Sequence, residues 1–184
     1  MKTEISNNVS FGAEVIKKTS IENTLAVKNI YHFEAFDKDG KLKWEETVEN
    51  IVTNAGLNDI LDKYLKGSAY TAAWYVLLTD GTPTVNAADT LASHAGWTEV
   101  TAYTGDRKAL TLGSVASQSV DNSASKASFA INADSTTIGG AGICTAETGT
   151  SGVLYSVAAF TAADKSLDNG DTLNVTVTCT AASA

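Results

Sequence analysis

The chain has 184 residues, of which 43% are hydrophobic and 18% charged, and a formal net charge of −8. This length suits a single domain whose core is large enough to fold without disulfide or metal staples. With only 13 Lys and Arg residues, the chain lacks the basic clusters that bind phosphates, so direct nucleic-acid binding is not expected. No apolar run approaches the roughly 20 residues that span a membrane, and residues 1–25 do not resemble an export signal. We expect a protein that folds in a reducing cytoplasm.

Residues 1–25 have weak hydrophobic periodicity, and a single β-rich domain is predicted over residues 26–184. The simplest interpretation of the first segment is a flexible N-terminal tail. The alternative is an arm that becomes ordered only against a neighbouring subunit, by adding a strand or filling a groove. In that case the contact residues are the apolar side chains Phe11, Val15 and Ile16.

A β-hairpin is predicted from Val27 to Val48, because apolar and polar residues alternate on both sides of the Asp39-Gly40 turn. The acids around this turn superficially suggest a calcium loop. A calcium loop of the EF-hand type needs flanking helices and a later bidentate Glu, however, so the hairpin interpretation is preferred.

One helix is predicted, at about residues 54–66, with Thr53 or Asn54 as its N-cap and Gly67 after its end. We expect its apolar stripe to pack against a sheet, so that Leu61→Asp would abolish folding. Acid–base pairs four residues apart are predicted to support it. The stripe consists of Leu57, Ile60, Leu61, Tyr64 and Leu65.

The rest of the chain reads as short strands separated by Gly, Ser, Asn and Asp. A buried strand is predicted at 71–79, followed by a surface loop from Val85 to Gly96, whose length favours contact with a partner. His94 and the adjoining Trp97 are therefore candidate partner-binding residues. Further strands are predicted at 97–103, 110–115, 127–131, 137–144, 153–160 and 172–180. This pattern predicts a mainly β, antiparallel sandwich or jelly-roll-like domain.

No catalytic constellation, cofactor motif or metal-ligand spacing is recognisable, and we expect no enzymatic activity. His94 with a serine would be the only nucleophile–base arrangement to draw, and it lacks a Gly-flanked nucleophile turn. Cys144 and Cys179 are expected to be buried free thiols. The acids near the last turn leave open a weak cation site at Asp164, Asp168 and Asp171. Aromatic side chains leave open a sugar groove, although each fits a buried strand equally well; they are Trp97, Tyr103 and Tyr155.

Several long strings resemble a family of small virion structural proteins encoded by tailed bacteriophages. They are EAFDKDGKLKWEETVENIVTNAGLNDIL (34–61), WYVLLTDGTPTVNAADTLASHAGWTEVTAY (74–103), SVDNSASKASFAIN (119–132) and GDTLNVTVT (170–178). The resemblance covers residues 30–180 in order, and the segments 105–109 and 142–144 look unusual beside the family pattern.

The resemblance implies a structural protein of the virion, assembled in the bacterial cytoplasm. The preferred expectation is a capsid decoration, or cement, protein on the capsid exterior that stabilises the head shell against internal DNA pressure. Its partners would be the major capsid protein and copies of itself, as a homotrimer. The alternative is a tail, baseplate or fibre-associated structural or host-glycan-binding module.

Overall fold

The computed structural model describes residues 25–70 and 73–183, which form twelve strands and one short helix. The helix α1 spans Asn54–Ile60 and continues as a π-helical turn over Leu61–Leu65. A single 3-10 turn covers Ser123–Ser125 in this part of the chain. The strands are β1 (Leu25–Phe36), β2 (Leu42–Val52), β3 (Tyr75–Thr79), β4 (Glu99–Val100), β5 (Lys108–Ala109), β6 (Ser119–Asp121), β7 (Ala127–Ala130), β8 (Thr136–Ile138), β9 (Gly140–Cys144), β10 (Leu154–Ala159), β11 (Lys165–Leu167) and β12 (Thr172–Ser183).

Ten strands form one antiparallel sheet in the order β4-β3-β9-β10-β2-β1-β12-β6, with β5 paired to β3 and β7 to β12. Strands β8 and β11 form a separate pair. The sheet curls until its two ends meet, where Thr104 N–H donates to the Ala130 carbonyl at 2.9 Å and Asn132 N–H to that of Ala102 at 3.2 Å. The prediction of a mainly β, sandwich-like domain with one short helix is confirmed.

The main core fills the inside of this curl. Alternate side chains of β1 and β12 face it, as the sequence alternation predicts for strands with one buried face. The Phe33 and Phe160 rings pack edge to face with their centroids 4.8 Å apart. The Tyr103 and Phe129 rings pack in the same way, also with centroids 4.8 Å apart. Each such buried ring stabilises the fold by roughly 1.5–3 kcal/mol. The fully buried apolar side chains of β1 and β12 are Tyr31, Phe33, Ala35, Leu173, Val175 and Val177.

A second, smaller core lies on the other face of β3. Val76 and Leu78 belong to the main core, whereas Leu77 packs into the second. Strand β3 is therefore buried on both faces, which explains its uninterrupted apolar sequence. The second core consists of Leu77, Leu91, Trp97, Cys144, Leu154 and Val157.

The hairpin prediction is confirmed, and β1 pairs along its whole length with β12, from Leu25 opposite Ser183 to Phe36 opposite Thr172. Asp37 Oδ1 accepts hydrogen bonds of 2.9 Å from the backbone N–H groups of Asp39 and Lys41, which closes the turn. The turn carboxylate thus binds its own backbone, as an Asx-turn does.

Strand β2 changes partner near its end. Its residues up to Glu49 pair with β1, and the last three pair with β10. A buried polar cluster occupies this junction: Asn29 Nδ2 donates to Ser156 Oγ at 3.0 Å, and the Tyr31 hydroxyl lies 2.6 Å from the same oxygen. Asn50 Oδ1 accepts from the backbone N–H of Asn29 at 2.9 Å. These bonds replace the ladder bonds lost where the strands separate.

The helix lies where the sequence predicts, but it is rotated about its axis so that the opposite side faces the sheet. Thr53 Oγ1 accepts from Gly56 N–H at 3.0 Å, so Thr53 is the N-cap, and Gly67 has a φ of +76°. The side facing the sheet carries Gly56, where an added Cβ would lie 2.4 Å from the Tyr155 carbonyl oxygen. The stripe predicted to be buried is therefore exposed, apart from half-buried Ile60.

Among the predicted strands, 110–115 is wrong: only Lys108–Ala109 pairs there, while Leu112 and Val115 are exposed. The predicted strand at 137–144 is divided into β8 and β9 at Gly139, where a Cβ would lie 1.6 Å from the Gly81 carbonyl oxygen. Strands β6 and β11, each of three residues, were not predicted.

Candidate binding surfaces

The loop between β3 and β4 is held by a buried carboxylate. Asp89 Oδ2 accepts from Trp97 Nε1 and from the backbone N–H of Asn86, both at 3.0 Å. Trp97 is 7% exposed and Leu91 is 1% exposed, and both belong to the second core. The loop is thus anchored from inside by two apolar side chains, and its irregular backbone lies on the surface.

His94 lies on this loop, stacked on Trp97 with ring centroids 3.7 Å apart and planes 12° from parallel. Its Nδ1 lies 3.0 Å from the Trp97 carbonyl oxygen. Because a carbonyl only accepts, Nδ1 carries the proton and Nε2 is the ring atom left for other contacts. The two candidate partner-binding residues therefore lie in contact with each other. His94 is half-buried and partly open to solvent, whereas Trp97 is buried beneath it.

The other predicted partner-binding residues, Phe11, Val15 and Ile16, lie outside the described residues. Partner binding by these three and by His94 and Trp97 stays a prediction.

The three aromatic residues considered for a sugar-binding groove do not lie together. Trp97 belongs to the second core, and Tyr103, 5% exposed, to the main core. Burial raises the pKa of Tyr103 to about 12, and burial likewise raises that of half-buried Tyr155 to about 12. Tyr155 packs edge to face on Trp74 at 5.4 Å.

A buried arginine that sequence reasoning missed closes one end of the domain. Arg107 Nε and Nη2 each donate a 2.7 Å hydrogen bond to the Glu99 carboxylate. The same guanidinium donates to the carbonyls of Ala146 at 2.8 Å and Gly149 at 2.9 Å. It borders a polar cavity of about 230 Å³. The unusual segment at 105–109 was the only signal, and it gave no hint that Arg107 is buried.

Two of the three acids near the last turn share one lysine. Lys43 Nζ lies 2.6 Å from Asp171 Oδ2 and 3.6 Å from Asp168 Oδ2. Asp164 Oδ2 accepts from Thr82 Oγ1 at 3.2 Å. The position open to a weak cation thus holds a lysine ammonium group.

Both cysteines are free thiols in the described part of the chain, as predicted. Cys144 is buried and Cys179 half-buried, and burial raises the pKa of both thiols, that of Cys179 to about 11. Within residues 25–70 and 73–183 no group of three or more His, Cys, Asp and Glu side chains is arranged to hold a metal ion. No helix in these two stretches is long and apolar enough to cross a bilayer.

Four exposed apolar side chains lie together on the helix. Leu57 is 43% exposed, Leu61 53% and Leu65 70%, and Tyr64 beside them is 84% exposed. Tyr70, 52% exposed, follows shortly after the helix and accepts a hydrogen bond from Trp74 Nε1 at 2.6 Å. We call Leu57, Leu61, Tyr64 and Leu65 the helix face.

The sequence profile of one protein family, Gp80, described as podophage GP4 fiber I protein gp80, matches residues 51–182. This match spans the end of β2, the helix and nearly all later strands. No curated protein matches the chain significantly.

The family match shows the class of protein: it is a structural component of a bacteriophage virion. More particularly, the chain belongs to the podophage GP4 fiber I family. The resemblance to tailed-phage virion proteins is thereby confirmed, whereas its narrower form, a capsid decoration protein, is not supported by the description of the family.

Proposed function

We propose that this protein is a structural component of a phage fibre, and that its role in the virion is non-catalytic. The observation that carries this proposal is the family match over residues 51–182, which includes the helix, the second core and the part of the main core that follows β2. Fibres are built from rigid modules joined through protein surfaces. A sheet whose ends meet and a helix with an exposed apolar face suit such a module.

The fibre role is proposed as structural and not as glycan recognition. Sugar-binding grooves present aromatic faces to solvent, whereas Trp97 and Tyr103 are 7% and 5% exposed. Copies of the same chain are the partners that we propose.

The position of the protein in the virion tests the proposal. Quantitative mass spectrometry of purified virions would give its copy number relative to the major capsid protein, and gold-labelled antibodies would show its place by electron microscopy. We expect a few to a few tens of copies per particle, with label at the tail. Label over the head and a copy number near that of the major capsid protein would instead establish capsid decoration, with the major capsid protein as the partner.

A catalytic role is tested separately. Purified protein is incubated with host cell-surface polysaccharide, and released sugars are measured. We expect no release above that of heat-denatured protein, and measurable turnover would overturn the non-catalytic role.

A further inference from the structure

The inner face of the curled sheet is open to solvent at the end where β1 begins. Tyr31 and Val177 lie opposite each other and are both fully buried. Two residues further along β12 Cys179 is only half-buried, and Ala181 is exposed. Val27 lies opposite Ala181 and is half-buried. The core therefore ends before the two strands do, and apolar side chains of the inner face remain uncovered there.

Two largely apolar cavities, of about 230 Å³ and about 280 Å³, adjoin at this open end. Cys179 lines both of them, so they belong to one surface. An exposed apolar surface of this kind usually marks a contact site. We call the two cavities together the mouth. Besides Cys179, it is lined by Trp74, Leu112 and Tyr155 in the first cavity and by Val27, Val115 and Ala181 in the second.

We propose that the mouth is the docking site of the chain's own N-terminal segment, residues 1–24, which folds back over the end of the domain that it precedes. Strand β1 begins at Leu25, only two residues before Val27. The segment therefore joins the domain at the rim of the mouth. This inference rests on the position of the mouth and does not depend on the fibre assignment.

The length and sequence of the segment suit this site. Residues 22–24 are Glu-Asn-Thr, and Asn is a favoured turn residue at which the chain can reverse its direction. Ile21 comes four residues before Leu25, and an extended chain of that length spans at most about 14 Å. Ile21 can thus reach the cavity lined by Val27. Other large apolar residues of the segment are Phe11, Val15 and Ile16.

The covalent connection favours the chain's own segment over the segment of a second copy. A short flexible linker gives a local concentration in about the millimolar range. The segment of a second copy present at a micromolar concentration would compete against this value. Charge does not oppose the docking, because lysines and glutamates are equal in number in residues 1–24 and the named side chains of the mouth are uncharged.

The thiol of Cys179 reports whether the mouth is covered. The substitutions Phe11→Ser, Val15→Ser, Ile16→Ser and Ile21→Ser are combined in the full chain. Alkylation by iodoacetamide is then followed at each cysteine by peptide mass spectrometry. We expect Cys179 to react about 10-fold faster or more in this apolar-to-serine variant than in wild type, because the thiol becomes more accessible.

A matched control variant carries four polar changes in the same segment, Asn7→Ser, Asn8→Ser, Lys17→Ser and Lys18→Ser. Its rate of alkylation at the mouth should equal that of wild type. Cys144 is the internal control in every variant, because it is fully buried in the second core. It should stay unlabelled as long as the domain stays folded.

Disulfide formation tests the contact directly. Ile16→Cys and Ile21→Cys are made separately in the full chain and oxidised mildly. We expect at least one of them to form a disulfide with Cys179 inside one chain, detected as a monomer whose mass falls by two hydrogens. Adding Cys179→Ser to the same variant should abolish this disulfide.

Three results would overturn the proposal. The first is equal alkylation of Cys179 in wild type and in the apolar-to-serine variant, with Cys144 protected in both. The second is a disulfide that links two chains only, which would mean that the segment docks on a second copy. If Cys144 is also labelled, the variant has unfolded and the disulfide experiment decides; no disulfide from either Ile16→Cys or Ile21→Cys is the third result.

Discussion

Arg107 donates two parallel hydrogen bonds of 2.7 Å to the two carboxylate oxygens of Glu99, and the side chain of the arginine is only 6% exposed. The remaining donors of its guanidinium bind carbonyls of the loop after β9. One buried cation therefore ties β4 to the loop between β9 and β10. A buried pair of this geometry is costly to break from one side, because the other charge is left without a partner.

We expect Arg107→Met to destabilise the domain by about 3–5 kcal/mol, measured as the free energy of unfolding in urea. The double variant Arg107→Met with Glu99→Met should recover part of that loss, because it leaves no buried charge. Lys28→Met is the control, since its partner Glu49 is 70% exposed at the side chain, and its effect should be below about 1 kcal/mol. Equal losses for Arg107→Met and Lys28→Met would contradict the structural role of Arg107.

A pH-dependent contribution is expected from Asp171. Burial alone would raise the pKa of its carboxyl, but the backbone N–H of Asp168 at 2.8 Å and Lys43 Nζ at 2.6 Å outweigh burial and lower the pKa. A lowered carboxyl pKa stabilises the fold above the unfolded pKa of about 3.9, and this stability is lost as the pH falls below that value.

Asp171→Asn should therefore cost about 1.5–3 kcal/mol at pH 7 and progressively less below pH 4, measured by urea unfolding at each pH. Asp39→Asn, on the exposed hairpin turn, serves as the control. A difference between wild type and Asp171→Asn that stays constant from pH 7 to pH 2 would show that the ionised carboxylate is not what stabilises this turn.

Gly56 predicts a reversal of the usual effect of alanine in a helix. Replacing an interior helical glycine by alanine normally stabilises a protein by up to about 1 kcal/mol. At Gly56 the new Cβ would meet the Tyr155 carbonyl oxygen at 2.4 Å, so we expect Gly56→Ala to lower the melting temperature. Gly113→Ala is the control, because the nearest atom would be 3.5 Å away. A rise in melting temperature for Gly56→Ala would mean that the helix does not lie against β10.

Ser156 is expected to contribute more than its size suggests. Its hydroxyl serves both Asn29 and Tyr31 in the junction between β1, β2 and β10. Ser156→Ala leaves both partners buried and unsatisfied, and should cost about 2 kcal/mol. The same substitution at exposed Ser166 should cost less than about 0.5 kcal/mol. Combining Ser156→Ala with Tyr31→Phe should cost less than the two single changes together, which a double-mutant cycle would measure.

Sequence periodicity predicted the position of the helix but not its orientation, for a physical reason. The spacing of Leu57, Leu61 and Leu65 shows that these residues share a side of the helix; it does not show which side meets the sheet. That choice depends on Gly56, whose missing side chain permits the backbone of β10 to approach. A glycine in the first turn of the predicted helix was the available signal.

Strands with a buried face could be predicted from their hydrophobic pattern. Strands that exist only because they pair with a neighbouring strand could not. The alternation in β12 and the apolar run of β3 reflect burial directly. Residues 110–115 have similar apolar content but form no strand in the described structure, and the three-residue strands β6 and β11 have no hydrophobic pattern of their own. Likewise, the burial of Arg107 depends on loops distant in sequence.

The full-length pairing of β1 with β12 has a mechanical consequence. Because Leu25 lies opposite Ser183, a load applied through these two residues pulls on the same end of both strands. Tension would then act across the ladder and open it one rung after another, instead of shearing all its hydrogen bonds at once. The domain should yield at low force when pulled at these points and resist strongly when held across the length of the strands.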